Sequence, residues 1–198
     1  MHHSLTDIND LPTIDRIKSH ARSLAFLDAI LMPQWEWRYF SFDSQWSLAA
    51  NEMMGSMRDG EGNHYFILFQ PAGAIGKVFY NKNSNPAATE SIPDVFSSFT
   101  KENAFDMQNA SYCFWQLIDE PGWNIQPAHL SEAYLLRFLL GEPHYYHAWA
   151  EDYYEQEINP IALACIYKEG RWSPDLVRKL NQDADIERLK NEYDEIFG

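Results

Sequence analysis

In the run Pro143-His-Tyr-Tyr-His-Ala-Trp-Ala-Glu-Asp, His144, His147 and Glu151 stand at i, i+3 and i+7. On a helix that spacing lets all three side chains face one direction. Two imidazoles and a carboxylate could hold a divalent cation if another element supplied a fourth ligand, and could then support metal-dependent hydrolysis. The spacing is not that of the HExxH zinc proteases, however, and no second ligand cluster stands out. The same residues also fit an amphipathic helix in which Tyr146, Trp149 and Tyr153 pack inward while His and Glu face water. The expectation is therefore that the chain carries no metal and no other cofactor.

Other chemistry finds less support. His64 follows Asp59 and Glu61 closely enough for an acid/base pair, or simply for a solvated hairpin end. No GxSxG elbow is present, and Cys113 and Cys165 form no CxxC pair. Both cysteines lie in apolar runs and are expected to act as small buried hydrophobes. Gly60, Gly62, Gly73 and Gly76 join strands rather than opening a helix, so they make no phosphate loop. The loop Asp59-Gly-Glu-Gly-Asn lacks the oxygen spacing of an EF-hand.

What remains is charge. The chain has a net charge of −14 together with seven Trp and eleven Tyr. With that many apolar residues a core can form, so the acidity belongs to a folded surface. Such a surface repels nucleic acid and anionic lipid and attracts basic proteins. Residues 1–118 carry 13 acidic and 8 basic side chains, and residues 119–198 carry 16 and 7. One acidic cluster is Glu151, Asp152, Glu155 and Glu157; a second runs from Asp183, Asp185 and Glu187 to Glu192, Asp194 and Glu195. Several of these carboxylates are expected near helix C-termini, where the macrodipole disfavours them and a positive partner would compensate. Glu151, Asp152, Glu155 and Glu157 are the expected contact charges, with Asp59 and Glu61 as a second contact. Two or three Trp or Tyr at a rim would complete a protein interface. The alternative is a solvated face.

The elements that must position these residues can be read from periodicity. Pro12 and Asp15 open a helix carrying Ile14, Ile17, His20, Ala21, Leu24, Leu27 and Leu31, which stops ahead of Pro33. Alternation in Trp35–Phe42 predicts a strand, followed by strands at Glu52–Arg58, His64–Phe69, Ala74–Tyr80 and Ser111–Ile118. A polar loop is expected over Asn81–Ser91. Pro93–Lys101 reads as a short helix with Val95, Phe96 and Phe99 on one side. Helices follow at Ser131–Leu140, Pro143–Tyr154, Pro160–Tyr167, Pro174–Leu180 and Ala184–Phe197. The fold class is α+β: a single domain over 1–198, with an antiparallel meander of about five strands, an N-terminal helix and a helical C-terminal half. The N-terminus shows no signal-peptide pattern and no apolar run is long enough to span a bilayer, so a cytoplasmic location is expected.

The stretch Asn51-Glu-Met-Met-Gly-Ser-Met-Arg-Asp-Gly-Glu-Gly-Asn-His-Tyr-Phe-Ile-Leu-Phe-Gln-Pro-Ala-Gly-Ala-Ile-Gly-Lys-Val-Phe resembles a segment of small uncharacterised bacterial proteins. Ile92-Pro-Asp-Val-Phe, Tyr112-Cys-Phe-Trp and Trp149-Ala-Glu-Asp-Tyr-Tyr resemble the same group in the same order. In type, the group is similar to the immunity proteins of bacterial polymorphic-toxin and type VI secretion systems. That likeness implies a cytosolic α+β binding protein that neutralises a cognate basic toxin, such as a nuclease effector, by direct contact and without catalysis. The alternatives are a small metal-dependent hydrolase built on His144, His147 and Glu151, and a non-catalytic scaffold subunit.

Overall fold

The apolar repeat that begins after Thr13 forms helix α1 (Ile14–Leu31) in the computed structural model, which describes residues 7–81, 83–128 and 134–198. In its first turns α1 buries one stripe, Ile17, His20, Ala21 and Leu24, but from Ser23 to Leu31 every residue is buried. The C-terminal half is enclosed because strand β1 (Phe40–Ser47) packs against α1. Helices α4 (Pro160–Glu169) and α6 (Ile186–Phe197) also pack against it. Enclosure leaves polar groups that need partners. The Ala29 carbonyl accepts from Arg188 Nη2 at 2.9 Å, and Ile30 accepts from Asn181 Nδ2 at 2.8 Å. Arg38 donates to Met32 and Pro33 at 2.8 and 3.0 Å. Glu192 pairs with both Arg38 and Arg188, so the two cations at this helix end share one half-buried counter-charge.

Asp28 sits in the same enclosed half with no solvent exposure. Its carboxylate accepts from the N–H groups of Tyr39 at 2.7 Å and Phe40 at 2.9 Å, and from the Tyr146 hydroxyl at 2.5 Å. Tyr146 belongs to α3 (Pro143–Tyr154). One side chain thus joins α1, the entry to β1 and α3. Burial raises the Asp28 carboxyl to about 6, against the pull of these hydrogen bonds.

Among the described residues, β1 is followed by β2 (Glu52–Arg58), β3 (His64–Gln70), β4 (Gly73–Phe79), β5 (Tyr112–Leu117) and β6 (Asn124–Gln126). They form one antiparallel sheet in sequential order. One face lies on α1. Across it Phe42, Gly55, Ile67, Gly76 and Phe114 form a single row. A Cβ on Gly76 would stand 2.4 Å from the Phe114 ring, so the row closes only with glycine there. The other face is covered over β3–β5 by the crossover from β4 to β5, which supplies Phe96, Phe99 and Phe105 and includes α2 (Ser97–Lys101). Lys77, with no solvent exposure, points into that cover and donates to the carbonyls of Phe105 at 2.5 Å and Asp106 at 2.7 Å.

Several expectations are corrected. Among the described residues the sheet has six strands rather than about five; β6 is only three residues long and offers no alternation to detect. The strand expected at Trp35–Phe42 begins at Phe40: Trp35–Trp37 is a 3-10 turn, and the Asp28 bonds to Tyr39 and Phe40 set where extension starts. Pro93–Lys101 divides into a 3-10 turn at Asp94–Phe96 and α2, which turns Val95 outward while Phe96 and Phe99 are buried. The loop over Asn81–Ser91 contains a 3-10 turn at Pro86–Thr89, and Lys82 lies outside the described residues. Of the helix expected at Ser131–Leu140, residues 131–133 lie outside the described residues and Tyr134–Leu139 is 3-10. Helix α5 (Pro174–Leu180) has the expected bounds, whereas α6 starts at Ile186 because Asp185 caps it. Cys113 is buried and Cys165 is half-buried. No helix of the described residues is long and apolar enough to cross a membrane.

A raised carboxyl value means that the native state holds the proton more tightly than the unfolded chain does. The Asp28 contribution to stability is therefore complete below 3.8 and is lost as pH rises through about 6. The rise from 3.8 to about 6 corresponds to about 3 kcal/mol. Urea unfolding of the wild type and of Asp28→Asn across pH 4 to 7 should show the wild-type advantage shrinking by about that amount as pH rises. A pH-independent difference between the two would contradict this account of the buried carboxylate.

Candidate functional site

The acidic side chains singled out from the sequence gather on α3 and on the loops beside it. Pro143 opens α3 and fixes its first turn. Tyr146 and Ala150 are its fully buried anchors, with Tyr146 on Asp28. Trp149 packs edge-on against Phe40 and Phe138. This inner packing fixes which residues point outward: Asp152 and Tyr153 at the end of the helix, with Glu155 and Glu157 beyond it.

Asp59, Glu61 and Asp152 line one hollow of about 570 Å³, although they come from opposite halves of the chain. Its wall is the ring cluster of Tyr39, Trp149 and Tyr153, whose centroids lie 4.4 to 5.2 Å apart. The Tyr39 hydroxyl donates to the Asp59 carbonyl at 2.6 Å, which ties the β2–β3 loop to the rings. Burial, reinforced by the Asp59 carboxylate, pushes that hydroxyl up to about 12, so it remains a donor. Arg137 also lines this hollow. Glu151, Glu155 and Glu157 line a second, open hollow of about 900 Å³ with His147, Asn159 and Lys179. A groove of about 420 Å³ lies between the two hollows, sharing Tyr153 with the first and Glu155 with the second. All six expected contact residues therefore border one continuous strip.

They are not equivalent within it. Asp59 organises its own loop: Oδ1 accepts from Glu61 N at 2.8 Å and Asn63 N at 2.9 Å, and Oδ2 accepts from the Asn63 amide. Glu151 Oε1 accepts from Ile158 N at 3.1 Å, while His147 Nε2 meets the Ile158 carbonyl at 2.8 Å. His147 and Glu151, 3.5 Å apart, thus form a clasp that closes the α3–α4 turn. Glu61, Asp152, Glu155 and Glu157 are exposed and make no ion pair among the described residues. In the last helix Glu192 is paired inside, and Asp185 caps the N-terminus by accepting from Arg188 N at 3.0 Å. The expected dipole penalty therefore does not hold at Asp185, whose charge the helix start favours. It does hold at the end of α3.

The three candidate metal ligands do not assemble. His144 stands apart from the clasp, 3.6 Å from Glu142 and packed on the Tyr145 ring. Among the described residues no group of three His, Cys, Asp or Glu side chains is arranged to hold a metal ion. His64 packs between the rings of Phe66 and Phe79, and burial lowers its pKa. Of the aromatics expected to pack inward, Tyr153 remains 39% exposed. Sequence reasoning missed Trp37 and Tyr39. Both lay in a run taken for a strand, although Pro33 just upstream and the Trp-x-Trp pattern also suit a turn that presents rings.

Glu155 has φ 50°, a left-handed conformation that costs a non-glycine residue about 1 kcal/mol or more and is usually filled by glycine after a helix. As the residue that ends α3, it also places a negative charge at the negative end of the helix. Glu155→Gly should raise the unfolding free energy by roughly 0.5–1 kcal/mol in urea titration, the relief of strain exceeding the added freedom of the unfolded chain. A destabilised variant would show that this carboxylate supports the fold. No protein-family model, curated protein or solved structure matches the chain, so its functional reading rests on this geometry.

Proposed function

We propose that the chain is an immunity or antitoxin-like binding protein that acts in the cytoplasm and neutralises a basic toxin or effector by covering it with the α3 strip. The observation that carries this reading is the convergence of Glu61 and Asp152 around the Tyr39–Trp149–Tyr153 rings, with Glu155 and Glu157 continuing the same strip. Exposed carboxylates accelerate encounter with a basic protein, and the aromatic rings beside them provide area that a partner can bury. The four carboxylates are exposed, and of the rings Tyr153 is exposed while Tyr39 and Trp149 are half-buried behind it. The role requires no bond to be made or broken. A nuclease effector fits because a surface that binds polyanions is itself basic.

The test takes the product of the neighbouring open reading frame, which on this reading is a basic effector domain. Its affinity should fall by about tenfold or more between about 0.05 and 0.5 M salt. Combined Glu61→Gln, Asp152→Asn, Glu155→Gln and Glu157→Gln substitutions should weaken binding at low salt and flatten the salt dependence. These residues are exposed, so circular dichroism and thermal unfolding should stay close to wild type. An affinity that salt leaves unchanged would remove the electrostatic argument.

A further inference from the structure

The 420 Å³ groove differs chemically from the two hollows that flank it. One hollow contains Arg137 and the other His147 and Lys179, whereas the groove is lined by Leu31, Met32, Trp37, Tyr153, Tyr154 and Glu155, with Gln156 at its end. No cationic side chain is among its lining residues. Arg38, next to Trp37 in sequence, is held by Glu192 and by the carbonyls of Met32 and Pro33. Trp37 is 61% exposed, and its carbonyl accepts from the Tyr153 hydroxyl at 3.4 Å, which joins the 3-10 turn to the helix end. The groove is lined by Tyr153, Tyr154 and Glu155 at the C-terminal end of α3, whose last turn contains no basic residue, so the negative end of the helix dipole lies beside it.

Aromatic faces, a carboxylate and helix-terminal carbonyls together favour one kind of group. A planar cation can stack on the rings while its N–H groups reach Glu155 and the carbonyls. Guanidinium does this, whereas a compact, strongly hydrated ammonium gains less from ring faces. On the reading that this strip binds a basic protein, we infer that the groove between Trp37 and Tyr153 seats an arginine side chain of that partner. The groove then fixes register, and the surrounding carboxylates contribute attraction without register.

The experiment measures binding of two peptides of equal length and charge, one arginine-rich and one lysine-rich, to the full chain by calorimetry at low salt. The arginine peptide should bind about fivefold to tenfold more tightly. Trp37→Ala should abolish that preference, lowering the arginine-peptide affinity about fivefold to tenfold and the lysine-peptide affinity much less; its exposure makes the substitution compatible with folding, and a thermal melt verifies this. Tyr153→Leu should reduce the preference without abolishing it. Equal, salt-dependent affinities for the two peptides, or a preference that survives Trp37→Ala, would overturn the groove assignment and leave the acidic docking face standing. Failure of both peptides to bind would overturn the docking face as well.

Discussion

A carboxylate with no access to water, at the centre of the molecule, constrains nearly everything around it. Asp28 needs donors, and the fold supplies them from the two N–H groups that begin β1 and from the Tyr146 hydroxyl of α3. A buried acceptor without partners would cost several kcal/mol, so these elements are positioned together. The carbonyls at the end of α1 impose a similar demand one turn later. Arg38, Asn181 and Arg188 meet it from three different segments, and the Glu192 carboxylate pairs with both guanidinium groups.

From this polar centre the architecture of the surface follows. Anchoring α3 through Tyr146 and Ala150 sets its rotation, and its rotation decides that Asp152 and Tyr153 face the β2–β3 loop. The 29 acidic residues then divide by role. Asp28, Asp59, Asp185 and Glu192 fold the chain by accepting from backbone or guanidinium groups. Glu61, Asp152, Glu155 and Glu157 have no such task, and Glu155 occupies a position that glycine would fill at lower cost. Net charge alone could not separate these two groups.

Much of the fold was legible because periodicity reports burial. The bounds of β2, α3 and α5 agree with the sequence reading to the residue, and each has an unambiguous stop such as Pro, Gly or a polar cap. What escaped was decided by distant partners. Trp35–Trp37 alternates like a strand, but the donors that open β1 are ordered by Asp28, a helix away. Strand β6 depends on the edge offered by Cys113–Trp115. In the candidate site, the identity of the carboxylates was readable from charge clustering. The internal engagement of Asp59 and Glu151 was not, since it depends on Asn63 and Ile158 presenting backbone N–H groups at the right angle. Trp37 was hidden for the same reason as the turn that carries it.

The inward anchoring of α3 also bears on how such a protein can change over generations. Tyr146 and Ala150 are committed to the interior, whereas the carboxylates of Asp152 and Glu155 are exposed. Replacements on the outer row leave the central polar contacts undisturbed, so the charge and shape of this surface can change without renegotiating the fold. A scaffold divided in this way lets its outer face vary while its interior stays fixed.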